Sequence, residues 1–312
     1  MNRARIAIFA VFFGRLPTYF NLWLYSCSRN QNIDWILITD QFVPNSVNVV
    51  NLHVIRMTLE DLNRFFSDAL GIVTNIVNPY KICDFRPAFS YFLKLLPSRY
   101  EFWGHCDIDM YFGRLSEFIS ANILARYDKI FSVGHLTLYR NCCAANEMFM
   151  RGHGAQSWRK ILHVSEHLGF DEHIGVNEIW RLHNGRTYID ETIILDVDPH
   201  IARFESVLRK LNYRSQIFYI NDDGVFQAFR HGSEICIREF MYIHFQKRQL
   251  TLNLTDHYHG LMYFDQNALC IAHGEQISSL IVTKNLLTAR DLIVEKGYRI
   301  RRFVRQCCNI SL

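Results

Sequence analysis

The sequence predicts an α/β fold in which helices cover both faces of a doubly wound, mixed sheet. Three apolar runs support this prediction, at residues 6–13, 34–40 and 47–56. The first two enclose a predicted helix at 19–28, and the third precedes another at 62–70. Continuously apolar strands are typical of sheets covered on both faces, and this alternation of strands and helices is typical of doubly wound domains.

Ligands of such domains collect where the strands end. Gly14 follows the first predicted strand, Asp40 ends the second, and Asp107 follows the aromatic-rich run 100–103, which predicts a buried strand leading to a turn at Gly104. The positions of Gly14, Asp40 and Asp107 at three strand ends favour a ligand site at one edge of the sheet.

The helix at 62–70 carries a recognisable start signal. Thr58 is followed three residues later by Asp61, which is the spacing of an N-cap and its reciprocal partner. We therefore expect the helix to begin directly after Thr58.

Asp107 and Asp109 are separated by one residue. In an extended chain, residues two apart point to the same side. Two carboxylates there suit Mg²⁺ or Mn²⁺, which bind few protein carboxylates together with substrate phosphates. Such an ion neutralises charge on a departing diphosphate. A solvated turn that holds no ion shows the same Asp-x-Asp pattern, so the motif alone leaves both interpretations open.

Three charged residues lie just ahead of a predicted helix at 88–96. They are Lys81, Asp84 and Arg86, within the segment 79–87. A solvated helix entry explains them. The functional alternative has Lys81 or Arg86 binding a phosphate, and Asp84 binding a sugar hydroxyl or the arginine.

Two acidic residues, Asp171 and Glu172, open a predicted helix at 170–180. Carboxylates in a first helical turn are stabilised by the helix dipole, which gives them a structural explanation. Their position after a loop is equally consistent with a role at a site.

His244 lies in a predicted strand at 240–248 and is followed by Lys247 and Arg248. A single histidine in a strand is typically a packed core residue. Basic residues immediately beyond it favour a ligand-binding strand end instead.

The composition narrows the class of protein. The chain has 312 residues and a net charge of +4, which does not indicate a nucleic-acid binder. Nine cysteines without a Cys-x-x-Cys predict neither a zinc site nor a disulfide framework. No apolar run reaches the roughly 20 residues that span a bilayer. We therefore expect a cytoplasmic protein.

We expect a main domain at 1–250 and a C-terminal extension at 251–312. Within the extension, residues 286–305 mix arginines and a lysine with apolar side chains. This pattern predicts either a basic, helical surface element at the inner face of the cell membrane or a solvated terminal helix.

Six blocks of the sequence resemble, in order, a bacterial family of glycosyltransferase-like proteins encoded in capsule and O-antigen clusters. These blocks are FFGRLPTYFNLWLYSC, PYKICDFRPAF, EFWGHCDIDMYFG, KIFSVGHLTLYRN, FDEHIGVNEI and YIHFQKR. More distantly, the chain is similar to GT-A-fold lipopolysaccharide galactosyltransferases and glycogenin.

The resemblance implies a GT-A-like fold, a UDP-sugar or other nucleotide-sugar donor, Mn²⁺ or Mg²⁺, and a polysaccharide or lipid-linked glycan acceptor. It implies Asp107, Asp109 and His244 as metal ligands, and Lys247 facing the donor diphosphate. The other donor-binding residues that it implies are Phe12, Gly14, Asp40, Lys81, Asp84, Arg86 and His135.

The same resemblance implies that Asp171 and Glu172 lie beneath the reacting carbon. An inverting enzyme would use such a carboxylate as a base on the acceptor, whereas a retaining one would use it to support a positively charged sugar. Similarity to the galactosyltransferases favours a retaining hexosyltransferase, with galactose as one candidate sugar. The family often has an aromatic-Gly-Gly run next, and here the residues are His173-Ile174-Gly175, which leaves the acceptor open.

Two other functions remain open from the sequence. A metal-dependent phosphoesterase also uses paired aspartates, although it usually needs more carboxylates or histidines to hold two ions. A non-catalytic nucleotide-sugar-binding subunit of a polysaccharide assembly complex would need the binding residues alone.

Overall fold

The computed structural model describes residues 5–43, 49–96, 100–172, 175–246, 248–253 and 260–284. The chain divides into two compact units, Met1–Ile108 with Ser116–Glu191, and Asp109–Leu115 with Thr192–Leu312. Lys247 and the basic segment 286–305 lie outside the described residues.

The described residues form sixteen strands, numbered in chain order. They are β1 (Ile6–Phe12), β2 (Ile33–Thr39), β3 (Leu52–Arg56), β4 (Phe102–Cys106), β5 (Met110–Phe112), β6 (Lys129–Val133), β7 (Leu136–Arg140), β8 (Thr187–Tyr188), β9 (Ile194–Asp196), β10 (Gln216–Asn221), β11 (Gly224–His231), β12 (Glu234–Phe240), β13 (Tyr242–His244), β14 (Thr251–Asn253), β15 (Met262–Asp265) and β16 (Ala268–Ile271).

The same part of the chain forms eight α-helices and five 3₁₀ segments. The helices are α1 (Phe20–Ser28), α2 (Leu59–Leu70), α3 (Leu115–Phe118), α4 (Ala121–Arg126), α5 (Cys143–Asn146), α6 (Trp158–His163), α7 (Val176–Leu182) and α8 (Ile277–Thr283). The 3₁₀ segments are Pro79–Leu95, Met148–Arg151, Gly154–Gln156, Glu191–Ile193 and Arg209–Leu211. None of these helices is long and apolar enough to cross a membrane.

The first unit is built on a seven-stranded sheet in the order β3-β2-β1-β4-β7-β6-β8. Strands β3, β2, β1 and β4 are parallel, β7 runs antiparallel to both of its neighbours, and β8 is parallel to β6. Because parallel strands run in the same direction, their carboxyl ends lie together at one end of the sheet. The mixed α/β sheet that the sequence predicts is confirmed.

Helices cover both faces of this sheet. Phe9 and Ile36 belong to a core cluster with Phe66 of α2 and Phe89 of the 3₁₀ segment Pro79–Leu95. Trp35, which directly precedes Ile36 in β2, points to the other face and contacts Trp23 of α1, with ring centroids 6.2 Å apart. The doubly wound arrangement is therefore confirmed as well.

Helix α2 starts where the sequence predicts. The Asp61 backbone N–H donates to Thr58 Oγ1 at 3.1 Å, and the Thr58 backbone N–H donates to Asp61 Oδ2 at 3.0 Å. This reciprocal pair satisfies two N–H groups that a helix start otherwise leaves unpaired. Gly71, at φ +63°, ends the helix in the left-handed conformation that glycine adopts without strain.

Several predicted elements differ in extent. Residues 88–95 of the helix predicted at 88–96 belong to the 3₁₀ segment Pro79–Leu95, in which Pro87 has no N–H to donate. Strand β4 continues through Gly104, where a Cβ would lie 2.4 Å from Leu138 Cδ2, so this glycine permits close strand packing rather than a turn. The helix predicted to open at 170 begins at Val176.

The second unit contains two sheets. A three-stranded sheet has the order β5-β13-β9, and a six-stranded sheet has the order β12-β11-β10-β15-β16-β14. Strands β10, β11 and β12 form an antiparallel meander. Three strands after residue 250 complete the six-stranded sheet, and α8 packs on it through Leu280 and Ile281. The domain boundary expected at residue 250 stays a prediction.

Candidate active site

The ends of β1 and β2 bring three predicted nucleoside-binding residues together in the first unit. Phe12 pairs in register with Thr39, and the Gly14 backbone N–H donates to Asp40 Oδ1 at 3.2 Å. Gly14 has φ +96°, a conformation that side chains rarely adopt. Hydrogen bonds from the Gln41 side chain and from Gly14 lower the pKa of Asp40. The result is an exposed, ionised acceptor at the sheet edge.

Lys81 lies in the interior of this unit, with no exposed surface. Its ammonium donates to Asp84 Oδ2 at 2.9 Å and to the carbonyl oxygens of Ile161 and Glu166, each at 2.7 Å. An ammonium has three N–H donors, and all three are used within the protein. Lys81 therefore has no donor left for a phosphate, and we do not carry it into the proposed site.

Asp84 is equally buried and acts on the backbone. It accepts the Leu168 N–H at 2.9 Å and the Phe170 N–H at 2.8 Å, in addition to the Lys81 ammonium. These bonds hold the segment that leads into Asp171. Asp84 thus positions the neighbouring acidic residues and is not accessible to a sugar hydroxyl.

Arg86 joins two predicted site residues within the first unit. Its guanidinium donates to Asp107 Oδ1 and, at 2.7 Å, to Asp171 Oδ2. Burial alone would lower the pKa of Arg86, but the two carboxylates outweigh this effect and raise it. The arginine therefore remains charged.

The two acidic residues of the pair at 171–172 have different surroundings. Asp171 is buried, and burial raises its pKa against the opposing effect of Arg86. Glu172 is exposed. Of the two, Glu172 is the carboxylate that a substrate can reach, and Asp171 is committed to Arg86.

A glycine turn between β6 and β7 lies beside these carboxylates. A Cβ on Gly134 would be 2.7 Å from Glu172 Oε1, 3.0 Å from Arg86 Nη1 and 3.2 Å from Asp171 Oδ2. His135, the next residue, accepts the Asp107 backbone N–H through its carbonyl at 3.1 Å. The turn therefore contacts the Arg86 group closely, and any side chain at 134 would disturb it.

The second unit holds a separate cluster on its three-stranded sheet. His244 ends β13, and its Nε2 lies 3.6 Å from Asp109 Oδ1, just ahead of β5. On the other side of the ring, Nδ1 lies 2.7 Å from Asp196 Oδ1 at the end of β9. All three side chains are partly buried. Asp109 and His244 are thus neighbours, as a shared metal would require.

The spacing of Asp109 and His244 fits a divalent cation. Two atoms each about 2.1 Å from one ion are separated by about 3 Å when they meet at a right angle and by about 4 Å when they oppose each other. The observed 3.6 Å separation of Nε2 and Oδ1 lies between these limits. An imidazole and a carboxylate are ligands that Mn²⁺ and Mg²⁺ accept in proteins.

Asp196 and Gly134 are absent from the predicted site residues. Asp196 ends an apolar strand, as Asp40 does, and that shared pattern was the available signal. Gly134 directly precedes the predicted residue His135, and a glycine by itself is no signal for a site. The predicted diphosphate ligand Lys247 lies outside the described residues.

Fold and site together define a two-unit α/β protein with a carboxylate–imidazole group suited to a divalent cation. Residues 8–273 match a family of unknown function, DUF6625, and the chain belongs to this family. No curated protein matches the sequence.

Two solved structures are similar to this chain at low sequence identity. One is mouse xyloside xylosyltransferase 1 in its apo form, with a TM-score of 0.38 and 9% identity over 80% of this chain and 99% of that chain. The other is the apo-form glycosyltransferase GlyE of Streptococcus pneumoniae TIGR4, with a TM-score of 0.33 and 11% identity over 62% of this chain and 46% of that chain. The chain thus spans about half the length of GlyE.

Proposed function

We propose that this protein is a metal-dependent glycosyltransferase that moves a hexose from a UDP-sugar to a glycan or lipid-linked glycan acceptor in the synthesis of a bacterial surface polysaccharide. One observation carries the proposal: His244 Nε2 lies 3.6 Å from Asp109 Oδ1, while Asp196 engages the opposite ring nitrogen. The sequence resemblance to capsule and O-antigen glycosyltransferases supplies the class of donor and acceptor.

The metal ligands in this proposal are Asp109, His244 and Asp107. Asp107 lies two residues before Asp109, so their Cα atoms are at most about 7 Å apart whatever the local backbone conformation. Mn²⁺ or Mg²⁺ bound there would neutralise the charge of the departing nucleoside diphosphate. Lys247 is proposed as a second positive group for that diphosphate.

The donor is proposed to be recognised by residues at the edge of the first sheet. Phe12 offers an aromatic face, and the Asp40 carboxylate accepts hydrogen bonds from the nucleoside. Arg86, kept charged by Asp107 and Asp171, is proposed to bind the donor phosphate or sugar.

Glu172 is proposed as the carboxylate that acts at the reacting carbon. It is exposed, whereas Asp171 is committed to Arg86. Following the galactosyltransferase resemblance, we propose that the anomeric configuration is retained and that Glu172 supports the positive charge of the sugar. The anomeric coupling of the first product, read by proton NMR, distinguishes retention from inversion.

The central test removes one proposed metal ligand. We expect Asp109→Ala to reduce Mn²⁺-dependent sugar transfer or donor hydrolysis by about 100-fold or more, a loss typical of removing one electrostatic contact to the transition state. Asp223→Ala is the matched control, because Asp223 is an exposed carboxylate in the β10–β11 turn of the same unit. Near-normal turnover of Asp109→Ala would exclude Asp109 from the mechanism.

The alternative functions give different results in the same experiment. Calorimetry with UDP-galactose, UDP-glucose and Mn²⁺ reports donor binding. Binding without turnover would favour a nucleotide-sugar-binding subunit. Release of phosphate from simple phosphoesters, without sugar transfer, would favour a phosphoesterase.

Membrane contact is a separate proposal for the basic segment 286–305. Liposomes that contain anionic lipid are expected to retain the full chain more strongly than a form truncated at residue 286. Equal retention of both forms would remove this segment from the proposal.

A further inference from the structure

We propose that Asp196 is a positioning residue that holds His244 in the tautomer with a proton on Nδ1, so that Nε2 is directed at Asp109 and at the proposed divalent cation. This inference rests on the proposed function for its metal ion. The role of Asp196 concerns the orientation of a metal ligand and not the identity of the ligands.

The topology of the three-stranded sheet explains why these groups meet. Strands β13 and β9 are parallel, and His244 pairs in register with Asp196 at their carboxyl ends. Strand β5 runs antiparallel to β13, so the start of β5, just after Asp109, lies beside the end of β13. The side chains of Asp196, His244 and Asp109, at the ends of β9, β13 and β5, therefore lie at the same end of the sheet.

Backbone hydrogen bonds hold the arrangement on both sides of the histidine. The Val197 N–H donates to the His244 carbonyl at 3.0 Å, and the Phe245 N–H donates to the Asp109 carbonyl at 2.8 Å. The backbones that carry Asp196 and Asp109 are thus tied to β13. A ring held between two such neighbours has little freedom to turn.

The contact between Asp196 and His244 decides which nitrogen carries the proton. A carboxylate only accepts hydrogen bonds, so Nδ1, at 2.7 Å from Asp196 Oδ1, must be the donor. In a neutral imidazole the other nitrogen then presents a lone pair. That nitrogen, Nε2, faces Asp109 at 3.6 Å, a separation too long for a good hydrogen bond but suited to two ligands of one ion.

Asp196 is not itself a ligand in this arrangement. The two ring nitrogens point in widely different directions, and an ion bound to Nε2 would lie on the far side of the ring from Asp196. Carboxylates that hold a metal-binding histidine in this way typically change metal affinity by 10- to 100-fold when they are removed.

The test reads the tautomer and the metal affinity separately. In the metal-free protein at about pH 9, where an imidazole is ordinarily neutral, ¹⁵N NMR of the His244 ring, assigned with His244→Gln, is expected to show a protonated Nδ1 and an unprotonated Nε2. Asp196→Ala is expected to lose this preference and to weaken Mn²⁺ binding, measured by EPR or calorimetry, by roughly 10- to 100-fold. Asp196→Asn keeps an acceptor oxygen, so it is expected to keep the tautomer and to recover most of the affinity.

Two results would overturn the inference: a wild-type His244 protonated on Nε2, or an Asp196→Ala variant that folds and binds Mn²⁺ with wild-type affinity. Thermal unfolding of each variant separates a loss of affinity from a loss of folding. Failure of the proposed function looks different. In that case the tautomer and the Mn²⁺ affinities follow the expected pattern, and no UDP-sugar is turned over.

Discussion

Replacing Lys81 by Met tests whether this lysine serves the fold or the donor. The substitution keeps most of the length of the side chain and removes the ammonium. It leaves the buried Asp84 carboxylate with the Leu168 and Phe170 N–H groups and, at 3.8 Å, His167 Nε2. It also leaves the carbonyl oxygens of Ile161 and Glu166 without this donor.

These lost hydrogen bonds and the lost ion pair determine the expected loss of stability. Removing one partner of a buried ion pair costs about 3–5 kcal/mol, because the remaining charge stays buried without compensation. The double variant Lys81→Met/Asp84→Asn removes that charge and is expected to recover about half of the loss or more. Urea unfolding followed by tryptophan fluorescence gives both free energies.

A donor-binding lysine would give the opposite pattern. In that case Lys81→Met would leave the free energy of unfolding within about 0.5 kcal/mol of the wild type, as surface substitutions do. It would instead weaken the binding of UDP-sugar measured by calorimetry. Such a result would refute the structural role that we assign to Lys81 and Asp84.

Three further predictions concern other parts of the first unit. Burial lowers the pKa of Lys129 from 10.5 to about 7, so between these pH values the unfolded state binds more protons and stability rises with pH. Relative to Lys129→Met, the free energy of unfolding of the wild type, measured in urea, should therefore rise by about 1.4 kcal/mol per pH unit from pH 7.5 to 9.5. The exposed Lys160→Met variant is the control. Parallel pH curves for the wild type and Lys129→Met would contradict the expectation. Gly134→Ala places a Cβ 2.7 Å from Glu172 Oε1. Turnover should therefore fall roughly ten- to hundred-fold, with little change in melting temperature. Unchanged kinetics would show that the turn tolerates a side chain. Thr58→Ala removes the cap of α2 and should cost about 1 kcal/mol of stability, with a cost near zero arguing that water replaces the cap.

The parts of the fold that were predictable are those set by local chemistry. The apolar runs that became β1 and β2 are continuous because helices cover both faces of the sheet. The Thr58–Asp61 pair marks a helix start through hydrogen bonds between residues three apart. Pro79–Leu95 was less predictable, because Pro87 is compatible with a helix start and does not specify the 3₁₀ form.

The site illustrates what spacing alone does not convey. Lys81, Asp84 and Arg86 lie within six residues, yet the first two are buried and the third reaches two other carboxylates. In a 3₁₀ helix, residues three apart are eclipsed, so 81 and 84 share one side while 86 turns away. Which side faces the interior depends on packing against the segment at 161–170, which lies far away in the sequence.

The two aspartates of Asp107-Ile108-Asp109 also differ in what they contact, although their spacing suggests a single role. Asp107 accepts a hydrogen bond from Arg86 in the first unit, and Asp109 neighbours His244 in the second. Arg86 brings one positive charge to Asp107 and Asp171, which together carry two negative charges when both carboxyls are ionised. A carboxylate offers about four lone-pair positions, so the arginine does not exhaust Asp107 as a ligand. Asp-x-Asp by itself therefore specifies neither an ion nor a turn, because the partners that distinguish the two carboxylates come from segments far away in the sequence.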